Sequence, residues 1–253
     1  MAGHSKWANI KHRKGAQDKK RSKLFTKAIK EITVAVKENN NNGDPDTNPA
    51  LRNAIANARG INMPKDNIDR AVKKASGADG DNYEHISFEG YGPHGIAIFV
   101  ECTTDNSNRT VANVRAIFNK HNGSLGKNGS LEFIFDRKGV FTIEKEGLDW
   151  NLEDLQLELI ESGATDFEEE ENIFVIYSGF TDFGPMSEKL EELKIKVQNA
   201  ELQRIPITTS ELNIEEATSI LKMIDAFEED DDVQNVFHNL ELTDELMKVL
   251  EES

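Results

Sequence analysis

The chain has 253 residues, with 30 Lys+Arg against 46 Asp+Glu for a formal net charge of −16, and 37% of it is hydrophobic. That length allows two or three domains, each with its own core. The single cysteine, Cys102, excludes an intrachain disulfide framework and a cysteine-rich zinc site, which fits a reducing compartment.

No apolar run approaches the length needed to span a bilayer, and the N-terminus lacks the apolar core of a secretory signal. The charge is divided along the chain. Residues 1–75 hold 17 Lys+Arg and 7 Asp+Glu, a local net of +10, and residues 76–253 carry the balance of −26. Opposite signs at the two ends imply that one end meets a polyanion while the rest stays off it.

The first twenty-three residues contain Lys6, Lys11, Arg13, Lys14, Lys19, Lys20, Arg21 and Lys23, with Asp18 the sole acid. Trp7 and Ile10 are too few to pack a core, so the arm over about 2–21 reads as extended when free. A helix is predicted over 22–38, with Ser22 as N-cap and Leu24, Phe25, Ala28, Ile29, Ile32 and Ala35 as its apolar stripe. The run of asparagines at 39–42, followed by Gly43, ends it in a polar loop. A second helix starts at Pro49 and turns Leu51, Ile55 and Ala58 inward as far as Gly60. A third follows Pro64 and stops at Gly77. Residues 78–82 read as a hinge.

Beyond it, strands and helices alternate. Residues 95–103 are almost continuously apolar and read as a central strand. A helix is predicted over 110–121, a strand over 131–135, a turn over 136–139 and a strand over 140–144. Then come a helix (151–161), strands (165–169 and 173–177), a helix (184–194) and a strand (197–205). The order from 140 to 205 is β-α-β-β-α-β, a split βαβ unit. A short β segment (207–212), a helix (214–227) and a strand (233–238) join 95–135 in a second such unit, with the first inserted at its central hairpin. The chain from Thr243 is an acidic helical tail. The fold class is therefore α+β: an N-terminal three-helix domain plus two ferredoxin-like α/β domains, one inserted in the other. The expected limits are 1–79 for the basic arm and helices, 80–136 with 206–242 for the discontinuous domain, 137–205 for the insert and 243–253 for the tail.

The basic arm is the strongest chemical signal. Each Lys or Arg that neutralises a phosphate releases condensed counterion, a term independent of base sequence. His4, Trp7 and His12 add flat rings able to stack on an unpaired base or on ribose. The candidate nucleic-acid-binding residues are Lys6, Trp7, Lys11, His12, Arg13, Lys14, Lys19, Lys20, Arg21, Lys23 and Lys27. The loop at 105–109 offers a second contact, with Asn106, Asn108 and Arg109 aimed at a phosphate beside a helix N-terminus; equally, it is a turn with an Asn or Thr cap. Residues 90–95 read as a tight connection between strands that needs φ > 0 at a glycine. The glycines of 123–130 lack the GxxxxGK[ST] spacing and follow a helix, so they make a cap and loop and not a phosphate cradle.

Catalysis has little support. Cys102 sits inside the apolar strand, as inert small hydrophobes do. His121 closes a helix, where a cation suits the dipole. The acidic runs at 168–171 and 230–232 lack calcium-loop spacing. No metal and no cofactor is expected.

Six segments carry a family resemblance: MAGHSKWANIKHRKGAQDKKRSKLFTK (1–27), NMPKDNIDRA (62–71), FEGYGPHGIAIFVECTTDNSNRT (88–110), KHNGSLGKNGS (120–130), FDRKGV (135–140) and DDVQNVFHN (231–239). Over nearly its whole length the chain resembles the YebC/PmpR family, which includes the mitochondrial translational activator of cytochrome c oxidase. The resemblance implies an N-terminal helical domain and two α/β domains, one interrupted by the other. It also implies control of gene expression: members are described as probable DNA-binding transcriptional regulators, while others act in translation and associate with ribosomes. Because the likeness begins at Met1, a bacterial cytoplasmic member is expected. The expected partner is nucleic acid, either DNA or ribosomal RNA with its ribosome, and no membrane. An enzyme working through Cys102 or the 105–109 loop is the outside alternative. The asparagine run at 39–42 and the acidic end after Leu242 are the departures from the family pattern, both in loop or tail.

Overall fold

The computed structural model describes residues 18–77 and 82–252. Eight helices and eight strands are found there: α1 (Asp18–Glu38), α2 (Pro49–Gly60), α3 (Lys65–Ser76), β1 (Glu84–Tyr91), β2 (Ala97–Thr104), α4 (Ser107–Lys120), β3 (Ser124–Leu125), β4 (Phe135–Glu144), α5 (Leu152–Ile160), β5 (Ala164–Glu169), β6 (Ile173–Gly179), α6 (Phe183–Glu192), β7 (Val197–Pro206), α7 (Ile214–Glu228), β8 (Val233–His238) and α8 (Asp244–Glu252). The architecture is α+β, with N-terminal helices and two four-stranded sheets ordered β3-β1-β2-β8 and β5-β6-β4-β7.

By compactness the described chain forms two units. One holds 18–27, Asn82–Asp136 and 205–252; the other holds 28–77 and Arg137–Arg204. In the first unit β2 is an inner strand, paired antiparallel with β1 on one edge and β8 on the other. Both its faces are covered, which explains its unbroken apolar run. Ile98, Val100 and Cys102 face α4 and α7, meeting Val114, Phe118, Ile220, Ile224 and Phe227. Ala97 and Phe99 face the other way, toward Leu131 and Phe135. Phe118 and Phe227 close the helical side edge-to-face, with ring centroids 4.9 Å apart.

In the second unit β4-α5-β5-β6-α6-β7 is the split βαβ arrangement expected from the chain order. Phe141, Ile143, Phe174 and Ile176 of the sheet pack on Leu155 and Leu159 of α5 and Met186 and Leu190 of α6. Helix α2 belongs to this unit and docks on β7. The Asn57 side-chain amide pairs with the Ala200 backbone in both directions, donating to its carbonyl (2.9 Å) and accepting from its N–H (2.9 Å). Gly60, one turn on, lies so close that a Cβ would sit 2.2 Å from the Gln198 carbonyl oxygen. Ser187 donates to Asn53, and Arg52 pairs with Glu191 at 3.3 Å. Asn48 is the buried tie at the start of α2. It donates to the carbonyls of Ala35 (2.9 Å) and Asn42 (3.0 Å) and accepts from the Leu51 N–H (3.1 Å).

Several predicted boundaries are corrected. Residues 131–135 are not a strand: a turn occupies 130–134, and β4 begins at Phe135 and runs straight through the predicted turn at 136–139. The position beside β2 that a split βαβ unit gives to its third strand, here 207–212, belongs to β1 instead, which comes before β2 in the chain, and the edge position goes to the two-residue β3. The outer sheet thus has the same spatial order as the inserted one, reached by a different connection. Residues 207–212 form only a bridge, Ser210 to Leu240. Helix α4 starts at Ser107 because Asn106 caps it. The segment read as an acidic tail turns Leu246 and Met247 into the core beside α7.

Asn48→Ala leaves the buried Ala35 carbonyl, the half-buried Asn42 carbonyl and the Leu51 N–H without this partner, a cost of about 1–3 kcal/mol. Urea unfolding of the full chain is expected to show that loss. Asn48→Asp, which keeps the cap but not the two donors, is expected to lose a similar amount.

Candidate nucleic-acid interface

Of the candidate binding residues, Lys6, Trp7, Lys11, His12, Arg13 and Lys14 lie outside the described residues. Lys19 and Lys20 fall in the first turn of α1. Arg21 is exposed, with its guanidinium 5.5 Å from the centroid of the Phe25 ring one turn on.

Lys23 and Lys27 lie on one helical face and bond within the first unit. Lys23 donates to the carbonyl of Glu229, and Lys27 to that of Gln234 (3.2 Å). Glu229 is the C-cap of α7, where the helix dipole favours a cation. Lys23 thus meets a run of five acids, 228–232, and Lys27 bonds just beyond it in β8. The run is held in shape from beneath. Asp232 is only 5% exposed, and its carboxylate accepts from the Arg109 guanidinium (2.7 and 3.2 Å) and the Thr110 hydroxyl (3.0 Å). Asp230 accepts from Asn113 at 2.9 Å and from the Asp232 N–H at 2.9 Å.

The 105–109 loop is therefore a cap and an ion-pair anchor. Asn106 accepts from the Arg109 N–H at 3.1 Å, and its own N–H donates to the Thr104 hydroxyl. Arg109 serves two carboxylates, Asp232 first and Asp105 (2.8 Å) second, and its pKa is raised by those hydrogen bonds in that order. The depression around it, about 410 Å³, is lined by Arg109, Asn113 and residues 229–232. A phosphate here has to displace a carboxylate from Arg109 and enter an acidic rim. Asn106, Asn108 and Arg109 are all exposed.

Cys102 is buried in β2, 1% exposed. In the 90–95 connection, φ is positive at Gly95 (77°) and also at His94 (60°), a residue that tolerates the left-handed region. His121 borders a shallow pocket of about 430 Å³ with Glu215, Thr218, Ser219 and Lys222. Its pKa is lowered, by burial first and by Lys120 second, so these outweigh the dipole that favours a cation there.

Sequence reasoning misses Glu89. This buried carboxylate of β1 accepts from the N–H groups of Gly129 and Leu131, both at 2.7 Å, and from the Ser130 hydroxyl at 3.4 Å. It shapes the loop that follows β3. The available signal is a lone acid between Phe88 and Gly90 in an otherwise apolar strand segment.

Two family models match: the TACO1/YebC protein N-terminal domain over residues 5–78, and the TACO1/YebC second and third domain over 83–240. The chain belongs to the TACO1/YebC family. A relative from Amoebophilus asiaticus is 54% identical over 95% of this chain and 98% of its own, and one from a Geobacillus species (strain WCH70) is 49% identical over the same shares. Both are named as probable transcriptional regulatory proteins. The crystal structure of a conserved hypothetical protein from Aquifex aeolicus is similar, with a TM-score of 0.78 and 38% identity, covering 91% of this chain and 94% of that one.

A folded-state pKa below the unfolded value favours neutral His121, so its share of stability is whole above pH 6.5 and is lost progressively as pH falls from there through the lower folded-state pKa. Urea unfolding between about pH 7.5 and about pH 5 is expected to show a steeper loss for the wild type than for His121→Gln.

Proposed function

We propose that this chain is a non-enzymatic regulator of gene expression that binds nucleic acid through its basic N-terminal segment and works in the cytoplasm. One observation carries the reading: +10 over residues 1–75 set against −26 over the rest. Phosphate is drawn to the first and repelled by the second, so contact concentrates at one end. The names of the curated relatives support a role in transcription. The candidate enzyme groups are engaged otherwise, Cys102 in the core and Arg109 with Asp232.

A second reading, a ribosome-associated factor contacting ribosomal RNA, is favoured by one feature of the helices. Reading bases in a major groove takes a helix face rich in Arg, Asn and Gln. On α2, Asn53 and Asn57 are spent on docking to α6 and β7. On α3 the exposed Lys65, Arg70, Lys73 and Lys74 are interleaved with Asp66 and Asp69. Binding directed at backbone and shape suits structured RNA.

Crosslinking in cells followed by sequencing separates the two. Sharp promoter peaks sink the ribosomal reading, and reads concentrated in ribosomal RNA sink the promoter reading. For the surface itself, the triple variant Lys11→Ala, Arg13→Ala, Lys14→Ala is expected to bind more weakly and with a flatter salt dependence. Each lost phosphate contact removes a slope of roughly 0.7–0.9. An unchanged slope moves the site elsewhere.

A further inference from the structure

Two of the candidate binding lysines, Lys23 and Lys27, are engaged inside the protein. Their ammonium groups donate to the carbonyls of Glu229 and Gln234, and all four residues fall in the first unit. The place they meet breaks a local rule, because the C-terminal end of a helix disfavours negative charge. Helix α7 nonetheless ends on Asp225, Glu228 and Glu229, has no basic residue in its last turn, and runs straight into Asp230, Asp231 and Asp232. Departures from local preference concentrate at sites with a task.

The acids are also held still. Asp232 is tied to Arg109 and Thr110, and Asp230 to Asn113. The Asp232 carbonyl accepts from the Thr103 N–H of β2, which joins the run to the sheet. A closely spaced row of anions on a fixed backbone offers a basic helix what a phosphate chain offers it. The two lysines come to this place from successive turns of α1. Their seat is not fully satisfied. Gln234, whose carbonyl takes Lys27, has its side-chain nitrogen buried with no acceptor among the described residues. A buried donor left unanswered weakens the arrangement that buries it.

We propose that the acidic run at 228–232 is an internal competitor for nucleic acid. In the free chain it holds Lys23 and Lys27 at the end of α7, and a phosphate backbone gains those two lysines only by displacing it. The inference rests on the nucleic-acid reading above and adds a built-in restraint to it. Charge makes the two states exclusive. A phosphate that approaches Lys23 where it sits meets the carboxylates of the run, too close for salt to screen them. Once the helix leaves the run, the same ammonium groups become two more sites of counterion release. The binding-competent fraction of the free chain sets the apparent affinity, so loosening the restraint tightens binding with no new contact.

The test uses the full chain, a fluorescein-labelled DNA duplex and a labelled RNA hairpin. The variant Glu228→Gln, Glu229→Gln, Asp231→Asn removes three charges and leaves Asp230 and Asp232, which hold α4. It is expected to bind roughly tenfold more tightly, as for a competent fraction of about one in ten in the wild type, and with a steeper salt slope. Introduced together with Lys23→Gln and Lys27→Gln, it is expected to give no gain, because the partners of the run are then absent. Removing three exposed acids elsewhere, with Glu153→Gln, Glu161→Gln and Glu171→Gln, is expected to leave affinity within about twofold. Circular dichroism checks the fold, and Glu228→Gln with Asp231→Asn, which spares the α7 cap, carries the test if the triple variant does not fold. Unchanged or weaker binding overturns the proposal, and weaker binding makes the contact a clamp that positions the helix. An equal gain from the acids elsewhere, or one that survives without the two lysines, overturns it too and leaves only overall charge. Failure of the wild type and the triple variant alike to bind either probe overturns the nucleic-acid reading, and this proposal with it.

Discussion

A strand buried on both faces and paired on both edges has to satisfy every backbone polar group inside the protein, and β2 is that strand. Its middle is served by β1 and β8, but the register with β8 shifts between Glu101 and Cys102. The ends are completed by loop residues. Asn239 supplies its side-chain oxygen to the Ala97 N–H at 2.8 Å, and the Asp232 carbonyl accepts from the Thr103 N–H at 2.8 Å. Asp232 thus enters the structure through its backbone, and its carboxylate is drawn below the surface with it. Arg109 and Thr110 are there because that carboxylate has to be answered.

The same demand shapes the acidic segment at 228–232. Once Asp232 and Asp230 are tied to α4, their neighbours stand beside the end of α7, and α1 brings Lys23 and Lys27 to that place. The basic helix therefore brings Lys23 to the densest acidic run of the chain. Net charge per region is legible from composition; which lysines are engaged by protein carbonyls is not. Lys23 and Lys27 look like the rest of the basic run in sequence, and only the fold shows which carbonyls they meet.

Much of the fold can be read from the residues, and the exceptions share a cause. Helices α2, α3, α5, α6 and α7 start and stop close to where their apolar period and caps place them. The inserted unit has the sheet order that its β-α-β-β-α-β sequence demands. The misreadings at 131–135 and 207–212 are short apolar runs, where period cannot distinguish a strand from a turn with one buried anchor. Leu131 is buried because Glu89, more than forty residues earlier in the chain, holds the turn around it. For the candidate site, the basic arm is legible as charge, and the 105–109 loop as a polar turn. That Arg109 answers Asp232 is not, since the two are 123 residues apart.

What the sequence alone determined is everything that depends on local period and on summed charge: the helices, the central strand, the α+β class, and the contrast between a basic beginning and an acidic remainder. Those properties are additive along the chain, so no distant contact is needed to read them. The tertiary structure decided which strand lies beside β2, where α2 spends its asparagines, and which cations are already paired. Each of those is settled by a partner far away in the chain, because a buried polar group is tolerated only where the whole fold delivers its counterpart.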